Sequence, residues 1–332
     1  MKLIKPVALR SGDSVRIITP SDSAVAFGSA SQQRAEKVLK SMGLRVSFSK
    51  NFGKSDGHTG GTIEERLNDF MEAFEDDEVQ CVMPLYGGFN ANQLLPFINF
   101  KTIRTHDKTF IGFSDISCLN LAILAKAGVV NFSGPCFSTF SQPELPEFTL
   151  RHFRAVVFDG ACDAFDSSER FAEDAWWKSD SQTREWKTNP SVQTLRKGKA
   201  SGVLVGGNLS TTAMLCGTPF LPKISNPLVF LEEDHEGRPV IFDRQFHQLL
   251  QAGFFKNAQG LLLGRTETAA GFSLQDSLAR IVLPATQKAG IPVLSEMDFG
   301  HTDPLLTIPL GIRAELDATS KKVRLLESAV LP

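Results

Sequence analysis

The sequence of 332 residues lacks both a long apolar run and a concentration of positive charge. No stretch approaches the roughly 20 apolar residues that a membrane-spanning helix needs. Charged residues and proline interrupt residues 1–10 too often for a secretory signal. The formal net charge is −2 and no basic stripe is present, which argues against nucleic acid as a main partner. We therefore expect a cytoplasmic protein with no membrane or nucleic-acid partner.

Cysteine is also scarce, and the glycine motifs of nucleotide-binding proteins are missing. The cysteines are odd in number and scattered, and three lie in apolar runs, so buried thiols are favoured over disulfides or a metal site. Neither a G-x-G-x-x-G fingerprint nor a phosphate-binding P-loop is present. The sequence therefore indicates no metal and no organic cofactor. The cysteines are Cys81, Cys118, Cys136, Cys162 and Cys216.

Strand-like and helix-like segments alternate in the first half of the chain, which predicts an α/β fold built on a parallel sheet. Ligands bind at the carboxyl ends of such strands, and Ser21, Gly87-Gly88 and Ser114 lie there. The predicted helices are Gln32–Met42 and Thr62–Phe74, the second with a capping box. The predicted strands are Val15–Thr19, Arg45–Ser49, Val79–Leu85 and Thr109–Phe113.

The middle of the chain is polar and charged from residue 143 to residue 199. We interpret residues 146–199 as a linker, whose role as a lid stays open, between an N-terminal domain (1–145) and a C-terminal domain (200–332). Its tryptophans, Trp176, Trp177 and Trp186, either stack on a planar substrate group or pack against a domain surface. Regular elements then return: strands at 202–205, 228–231, 260–263 and 292–294, helices at 241–252 and 274–289, and a closing hairpin of 311–317 and 322–326.

The stretch F-I-G-F-S-D-I-S, from Phe110 to Ser117, carries the strongest chemical signal. An apolar strand ends at Gly112, Ser114 follows, and a helical pattern begins at Ile116. A serine at such a turn exposes its hydroxyl beside the amides of a helix N-terminus, which predicts a hydrolase nucleophile. Ile116 replaces the second glycine of G-x-S-x-G, and this argues against an ordinary α/β-hydrolase or esterase.

A serine nucleophile needs a base and a group that orients the base. His301 is the best candidate base because it lies in the glycine-containing loop D-F-G-H-T-D-P, just beyond a predicted strand. A purely structural loop histidine is the alternative. The other histidines lie in charged stretches (His106 and His152), in a helix (His247), or in loops where a role stays open (His58 and His235).

The candidate acid is Glu232, which the apolar run L-V-F-L delivers to a strand end, although a solvated acidic loop is the alternative. Gly87-Gly88 could bring backbone N–H groups to a substrate oxygen, or could form a tight turn only. The same two interpretations apply to Gly206-Gly207-Asn208, as a site-lining or a structural turn.

Further motifs follow one another along the chain in a specific order. They are L-R-S-G-D-S-V-R-I-I-T-P-S, the run from E-R-L-N-D-F to N-Q-L-L-P, I-G-F-S-D-I-S, G-G-N-L-S, F-L-E-E-D, D-R-Q-F-H-Q-L-L-Q-A-G, G-L-L-L-G and P-V-L-S-E-M-D-F-G-H. Each is weak alone, but their order and spacing together resemble the LD-carboxypeptidase family of serine peptidases nearly end to end. That family also contains the microcin C self-immunity proteins.

The resemblance implies a catalytic triad of Ser114, Glu232 and His301, with Gly88 and Asp115 supplying the backbone amides of an oxyanion hole. It implies an N-terminal α/β domain with a parallel, flavodoxin- or amidotransferase-like sheet. The C-terminal mixed α/β domain then has a partly barrel-like sheet and carries the glutamate and the histidine. The site lies between the domains, and a homodimer is common in the family.

The chain departs from the family pattern at Tyr86, where an arginine is usual, and at Phe89-Asn90, where Tyr-Gly is usual. These changes concern substrate contacts near the oxyanion hole. The tryptophan-bearing segment looks like the immunity branch, in which an aromatic residue contacts a nucleotide. Glu236 looks like the murein-peptide branch, in which a carboxylate suits the amine of a diaminopimelate side chain.

We therefore expect a serine carboxypeptidase that needs no cofactor and acts on a small substrate, either a murein tetrapeptide or an aminoacyl- or peptide-nucleotide. A binding protein that keeps the fold without catalysis is the alternative from another class, and an unrelated esterase is a weaker one. The expected substrate contacts are Gly87, Asn208, Glu236, Trp176, Trp177 and Trp186.

Overall fold

The computed structural model describes residues 2–161, 165–178 and 183–332. Its N-terminal part is a four-stranded parallel sheet in the order β2-β1-β3-β4. The central strands β1 and β3 are almost wholly buried, as expected of a parallel sheet whose two faces are both covered. The strands are β1 Ser14–Ile18, β2 Arg45–Phe48, β3 Cys81–Pro84 and β4 Thr109–Phe110.

Helices α1 and α2 of the N-terminal part pack on this sheet. α2 begins at the predicted capping box, in which Thr62 Oγ1 accepts a hydrogen bond from Glu65 N–H and the Glu65 side chain accepts one from Thr62 N–H. Its apolar stripe buries Phe70 and Phe74. The helices are α1 Ser29–Ser41, α2 Ile63–Glu75, α3 Phe100–Thr105 and α4 Ser117–Ala122, the last continued by a π-helical turn, Ile123–Ala127.

The C-terminal part is a curled, mixed sheet of seven strands in the order β15-β14-β9-β10-β11-β12-β8. β9 to β12 are parallel, and antiparallel strands lie on both sides of them. The strands are β8 Gln193–Arg196, β9 Lys199–Asn208, β10 Pro227–Glu232, β11 Gly260–Gly264, β12 Val293–Met297, β14 Arg313–Asp317 and β15 Lys322–Leu325. The helices are α6 Leu209–Met214, α7 Pro239–Gln251 and α8 Leu278–Ala285.

A short antiparallel pair of strands joins the two parts. β5 (Asn131–Ser133) comes from the first half of the chain and β13 (Ile308–Leu310) comes from the end of the second half. Both strands are fully buried. The carboxyl ends of the parallel strands in the two sheets are therefore held in a fixed relation to each other.

Residues 143–199 contain more regular structure than their composition predicts. α5 (Glu147–Val157) buries Phe153, Val156 and Val157, and β8 joins the large sheet. β6 (Arg170–Phe171) and β7 (Lys187–Thr188) pair with each other. Charged residues alternate with the apolar residues of α5, so its helical periodicity is not evident in the sequence.

Helix α8 is shorter than the predicted segment 274–289. It begins after Ser277, whose side chain accepts a hydrogen bond from Arg280 N–H, and Leu274 is 91% exposed. The cap at Ser277 therefore sets the start of the helix, and residues 274–276 lie outside it. Cys81, Cys118 and Cys136 are buried free thiols and Cys216 is half-buried, while Cys162 lies outside the described residues. No helix in the described part of the chain is both long enough and apolar enough to cross a membrane.

The packing of β9 against β10 leads to a stability prediction at Gly206. This residue has a φ of +152°, and a Cβ atom there would lie 1.7 Å from the carbonyl oxygen of Phe230. We expect Gly206→Ala to lower the free energy of unfolding by about 3 kcal/mol or more in urea titrations.

Gly217→Ala is the control, because Gly217 has a φ of +83° and open space around it. There we expect a loss of roughly 1 kcal/mol, and equal losses at the two positions would contradict the close approach.

Candidate active site

Ser114 lies at a strained turn between β4 and α4. Its φ is +64°, a conformation that non-glycine residues adopt at a cost of about 1–3 kcal/mol. A 3₁₀ turn, Ser114–Ile116, leads directly into α4. A Cβ atom at Gly112 would lie 2.9 Å from Ile116 Cγ2. Gly112 has no side chain, and Ile116 fills the space beside it. Ile116 stands at the position of the second glycine in G-x-S-x-G.

The structure brings Ser114, His301 and Glu232 into one hydrogen-bonded chain. His301 Nε2 lies 3.1 Å from Ser114 Oγ, and His301 Nδ1 lies 2.7 Å from Glu232 Oε2. Glu232 is the last residue of β10, and His301 lies in the loop after β12. The ring of Phe113 packs beside the imidazole, with 5.3 Å between the centroids. Such an arrangement can pass a proton from a hydroxyl to an oriented imidazole.

Two glycines make room for the carboxylate of Glu232, which is 3% exposed. Cβ atoms at Gly264 and Gly300 would each lie 2.8 Å from Glu232 Cβ, and Gly300 has a φ of +108°. Oε1 of Glu232 has no hydrogen-bond partner among the described residues. The backbone at Gly264 and Gly300 thus lies so close to Glu232 that a side chain at either position would collide with it. This close backbone holds the Glu232 carboxylate in one orientation.

The carboxylates around His301 stabilise the cationic form of its imidazole. Burial lowers the pKa of His301, but the charge and the hydrogen bond of Glu232 outweigh burial. Asp234 and Glu267 add to the rise, and the pKa of His301 reaches about 9. A cation formed at His301 during a reaction is therefore stabilised by the surrounding carboxylates.

The Gly87-Gly88 loop lies against the turn of Ser114. A Cβ atom at Gly87 would lie 3.0 Å from Ser114 Oγ and 3.1 Å from the amide nitrogen of Asp115. Gly88 has a φ of +140°, and a Cβ atom there would lie 2.5 Å from Ser21 Oγ. Backbone alone fits in this space, so the loop can approach a group bound at the serine.

The side chain of Asp115 anchors this glycine loop, a role that no local sequence pattern indicates. Asp115 accepts hydrogen bonds from the Ser21 hydroxyl at 2.5 Å and from Ala91 N–H at 2.8 Å. Ser21 Oγ in turn accepts one from Asn90 N–H at 3.2 Å. Burial raises the pKa of Asp115, and these hydrogen bonds oppose the rise. The residue after Ser114 thus holds the C-terminal end of the glycine loop, directly at Ala91 and through Ser21 at Asn90.

Arg66 supports the same loop from behind. It is 2% exposed, and its guanidinium donates to the carbonyl oxygens of Pro20 (2.9 Å) and Asn90 (3.2 Å) and to the side chain of Gln93. A buried guanidinium needs such acceptors, because an unpaired buried charge is costly. In the sequence Arg66 looks like an ordinary charged residue of an amphipathic helix.

A cavity next to Ser114 is rich in carboxylates. Glu233, at its wall, accepts hydrogen bonds from Asn208 Nδ2 (2.8 Å) and from the backbone and hydroxyl of Ser210. Asn208 also caps α6 by accepting from Thr211 N–H at 3.0 Å. The lining residues are Gly88, Phe89, Ser114, Asp115, Asn208, Ser210, Thr211, Met214, Glu233, Asp234 and Glu236.

The three tryptophans are not among the residues found to line this cavity in the described part of the chain. Trp176 and Trp177 pack edge to face, and Trp177 is 63% exposed. Trp186 covers the guanidinium of Arg184 at 4.8 Å. Their roles as substrate contacts stay predictions. Over residues 2–161, 165–178 and 183–332, no three His, Cys, Asp or Glu side chains cluster in a way that would hold a metal ion.

An α/β fold with a strained serine in hydrogen-bond contact with a histidine and a glutamate defines the class of serine hydrolases. The chain belongs to the LD-carboxypeptidase family, whose members are serine peptidases. The model of the LD-carboxypeptidase N-terminal domain matches residues 15–134, and that of the C-terminal domain matches residues 201–316.

Curated relatives are similar along almost the whole chain. A putative carboxypeptidase of Treponema pallidum is 35% identical over 97% of this chain and 95% of its own length. A probable murein peptide carboxypeptidase of Bacillus subtilis is 31% identical over 98% and 95%. The microcin C7 self-immunity protein MccF of Escherichia coli is 28% identical over 98% and 96%.

Solved structures share the fold. A crystal structure of an MccF-like protein from Bacillus anthracis superposes with a TM-score of 0.92 at 31% identity, covering 98% of this chain and 99% of that chain. The self-immunity protein MccF in complex with aspartyl sulfamoyl adenosine superposes with a TM-score of 0.89 at 27% identity, covering 99% and 100%.

The contact between Glu232 and His301 leads to a prediction for titration. In Glu232→Gln the carboxylate charge is lost, so the pKa of His301 should fall from about 9 toward or below its ordinary 6.5. Imidazole resonances followed by NMR across pH would measure this. Because the pKa is raised on folding, protonated His301 stabilises the fold fully below pH 6.5, and the contribution disappears as pH rises through 9.

The control for this titration is Glu236→Gln, which removes a carboxylate that is not among the groups that raise the pKa of His301. We expect the His301 titration to be unchanged there. The unfolding free energies of the wild type and Glu232→Gln should also converge between pH 6.5 and pH 9. An unshifted His301 in Glu232→Gln would contradict the electrostatic account.

Proposed function

We propose that the chain is a carboxypeptidase that hydrolyses a peptide or amide bond near the C-terminus of a small substrate. Ser114 attacks the carbonyl carbon while neutral His301 accepts the hydroxyl proton and then donates it to the leaving amine, which leaves an acyl ester on Ser114. Water, deprotonated by His301, attacks this ester, and the proton passes to the Ser114 oxygen as the acid product is released. Glu232 orients the imidazole and stabilises its cationic form. The observation that carries the proposal is the pair of contacts of His301, 3.1 Å to Ser114 and 2.7 Å to Glu232.

The oxyanion of the tetrahedral intermediate is bound by the backbone amides of Gly88 and Asp115 in this proposal. Support comes from the close approach of the Gly87-Gly88 loop to Ser114 and from the position of Asp115 at the start of the turn. The loss of one such donor typically costs about 100- to 1000-fold in turnover. The anchoring of the loop by the Asp115 side chain and by Arg66 keeps these donors aligned before the substrate binds.

The preferred substrate in this proposal is a murein tetrapeptide, cleaved during cell-wall recycling. Asp234 and Glu236 add negative charge to the cavity beside Ser114, and Glu236 is exposed. A carboxylate there suits the ammonium group of a diaminopimelate side chain. The similarity to the probable murein peptide carboxypeptidase agrees with this assignment. The family also suggests a cytoplasmic homodimer.

An aminoacyl- or peptide-nucleotide is the second candidate substrate. The self-immunity protein MccF, which is similar along nearly the whole chain, has been crystallised with aspartyl sulfamoyl adenosine. The exposed ring of Trp177 offers a surface on which a base could stack. A non-catalytic binding protein remains the alternative from another class, and reaction of Ser114 with a fluorophosphonate probe would contradict it.

Ser114→Ala tests the proposed nucleophile. We expect a folded variant whose turnover of the cleaved substrate falls by about 10⁴-fold or more, because the nucleophile is lost while binding is kept. Product release followed by chromatography measures the loss, and circular dichroism measures folding. Ser41→Ala is the matched control, since its hydroxyl lies at the exposed end of α1 and donates to Val38. Wild-type turnover in folded Ser114→Ala would exclude the triad.

Glu236→Gln tests the choice of substrate. With a murein tetrapeptide we expect KM to rise by about 10-fold with little change in kcat, because one charge-assisted contact is lost. A tetrapeptide with an acetylated side-chain amine is the control and should show no difference between the wild type and the variant. Cleavage of an aspartyl-adenylate analogue, with the tetrapeptide left intact, would instead favour the second candidate.

A further inference from the structure

The loop that carries His301 is held from outside by a segment that contributes no residue to the hydrogen-bonded chain of Ser114, His301 and Glu232. We call this segment the strap and define it as residues 166–178 and 183–189. It contains β6 and β7, which pair with each other. Residues of the strap hydrogen-bond to two carboxylates of this loop, Asp298 and Asp303. These lie three residues before and two residues after His301.

Arg184 forms the contact with Asp303. Its side chain is 0% exposed, and Nη2 donates to Asp303 Oδ2 at 2.8 Å. Nε lies 3.0 Å from the carboxylate of Asp174, and Nη1 donates to Gln142 Oε1. Gln142 Nε2 in turn donates to Asp303 Oδ1 at 2.9 Å. One guanidinium therefore connects the strap, the loop of His301 and the N-terminal part of the chain.

Backbone hydrogen bonds reinforce this contact. Ala172 N–H donates to the carbonyl of Asp303 at 2.9 Å, and Asp303 N–H donates to the carbonyl of Ala172 at 2.8 Å. The strap thus pairs with the loop as a short antiparallel bridge. The indole of Trp186 covers the outer side of the Arg184 guanidinium at 4.8 Å. The ion pair beneath it is shielded from water, which strengthens it.

A second contact holds Asp298, on the other side of His301. Its carboxylate accepts from Ser168 N–H at 2.8 Å, from Asn189 Nδ2 at 3.1 Å and from Arg265 Nη2 at 3.0 Å. Ser168 and Asn189 belong to the strap, one at each end of it. Asp298 is 1% exposed, so these donors replace its water.

The stretch between the two carboxylates needs such support. It contains Gly300, whose φ of +108° is open to few residues, and a chain with glycine in this position has much conformational freedom to lose. Burial raises the pKa of Asp303, and the Arg184 guanidinium opposes the rise. Without Arg184, Asp174 and Asp303 would be left as buried carboxylates that lack a cation.

We propose that Arg184 is a positioning residue that acts through the strap to fix His301 within hydrogen-bond reach of Ser114 and Glu232. The inference rests on the proposed function for the role of His301 as the base. A displacement of about 1 Å in a reacting group can cost on the order of 100-fold in rate. The strap therefore supports turnover by holding the loop that carries His301.

Arg184→Ala is the test, with kcat and KM measured on the substrate that the wild type cleaves. We expect kcat to fall on the order of 100-fold while KM changes by less than about 3-fold. Arg184→Lys should be intermediate, because an ammonium cannot bridge three acceptors as a planar guanidinium does. Added guanidinium ion should restore part of the kcat of Arg184→Ala. Arg170→Ala is the matched control: its guanidinium also lies over Trp186, but no contact with Asp298 or Asp303 is found for its side chain.

Two kinetic outcomes would overturn the inference. One is wild-type kcat in folded Arg184→Ala. The other is a rise in KM alone, which would mean that the strap acts on the substrate only. If Arg184→Ala does not fold, Arg184→Lys decides, and wild-type kcat in that variant overturns the inference.

An NMR readout separates this inference from the proposed function. His301 Nδ1 lies 2.7 Å from Glu232 Oε2, and the proton on Nδ1 is hydrogen-bonded to that oxygen. This proton should give a far-downfield resonance in the wild type and in Arg170→Ala. Loss of this resonance in Arg184→Ala supports the positioning role, and its retention overturns it. This NMR measurement needs no substrate. If the wild type cleaves neither candidate substrate, the proposed function is refuted, and the NMR result alone decides whether Arg184 positions His301.

Discussion

A carboxylate at the end of a buried strand is the constraint around which the site is arranged. Glu232 is 3% exposed, and a buried charge of this kind is tolerated only with a partner of suitable geometry. His301 supplies that partner at 2.7 Å. The two glycines that face Glu232 admit the carboxylate, and the loop after β12 must follow the path that carries the imidazole to it. The strained turn of Ser114 then meets the imidazole from the other sheet.

Each arm of the site has a separate buried support. Asp115 and Arg66 hold the glycine loop that faces Ser114, while Asp298 and Asp303 are held on either side of His301. These supports are charged groups that hydrogen-bond to partners within the protein. Buried polar networks of this kind favour a single arrangement, because each broken hydrogen bond would be costly. The site is therefore rigid through electrostatics as much as through apolar packing.

The sequence predicted the parts of the molecule that local patterns govern. The parallel sheet of the N-terminal part, the capping box of α2 and the turn at Ser114 each follow from periodicity or from a short motif. His301 and Glu232 were singled out by their place after strands, but their contact depends on two sheets that meet and could not be derived from spacing. Arg66, the Asp115 side chain and Arg184 were missed because their partners are distant in the chain, and a charged residue in a helix or a polar segment carries no local sign of burial.

The pairing of β5 with β13 has a consequence for the life of the chain before it is complete. Ser114 and His301 are separated by 187 positions, and β13 follows His301 in the sequence. During synthesis, the first half can build its own sheet while the ribosome is still translating the second, since domains fold as units from the N-terminus. Ser114 then lacks its contact with His301 until residues 301–310 have been translated. A chain that stops before them would hold the proposed nucleophile without its proposed base.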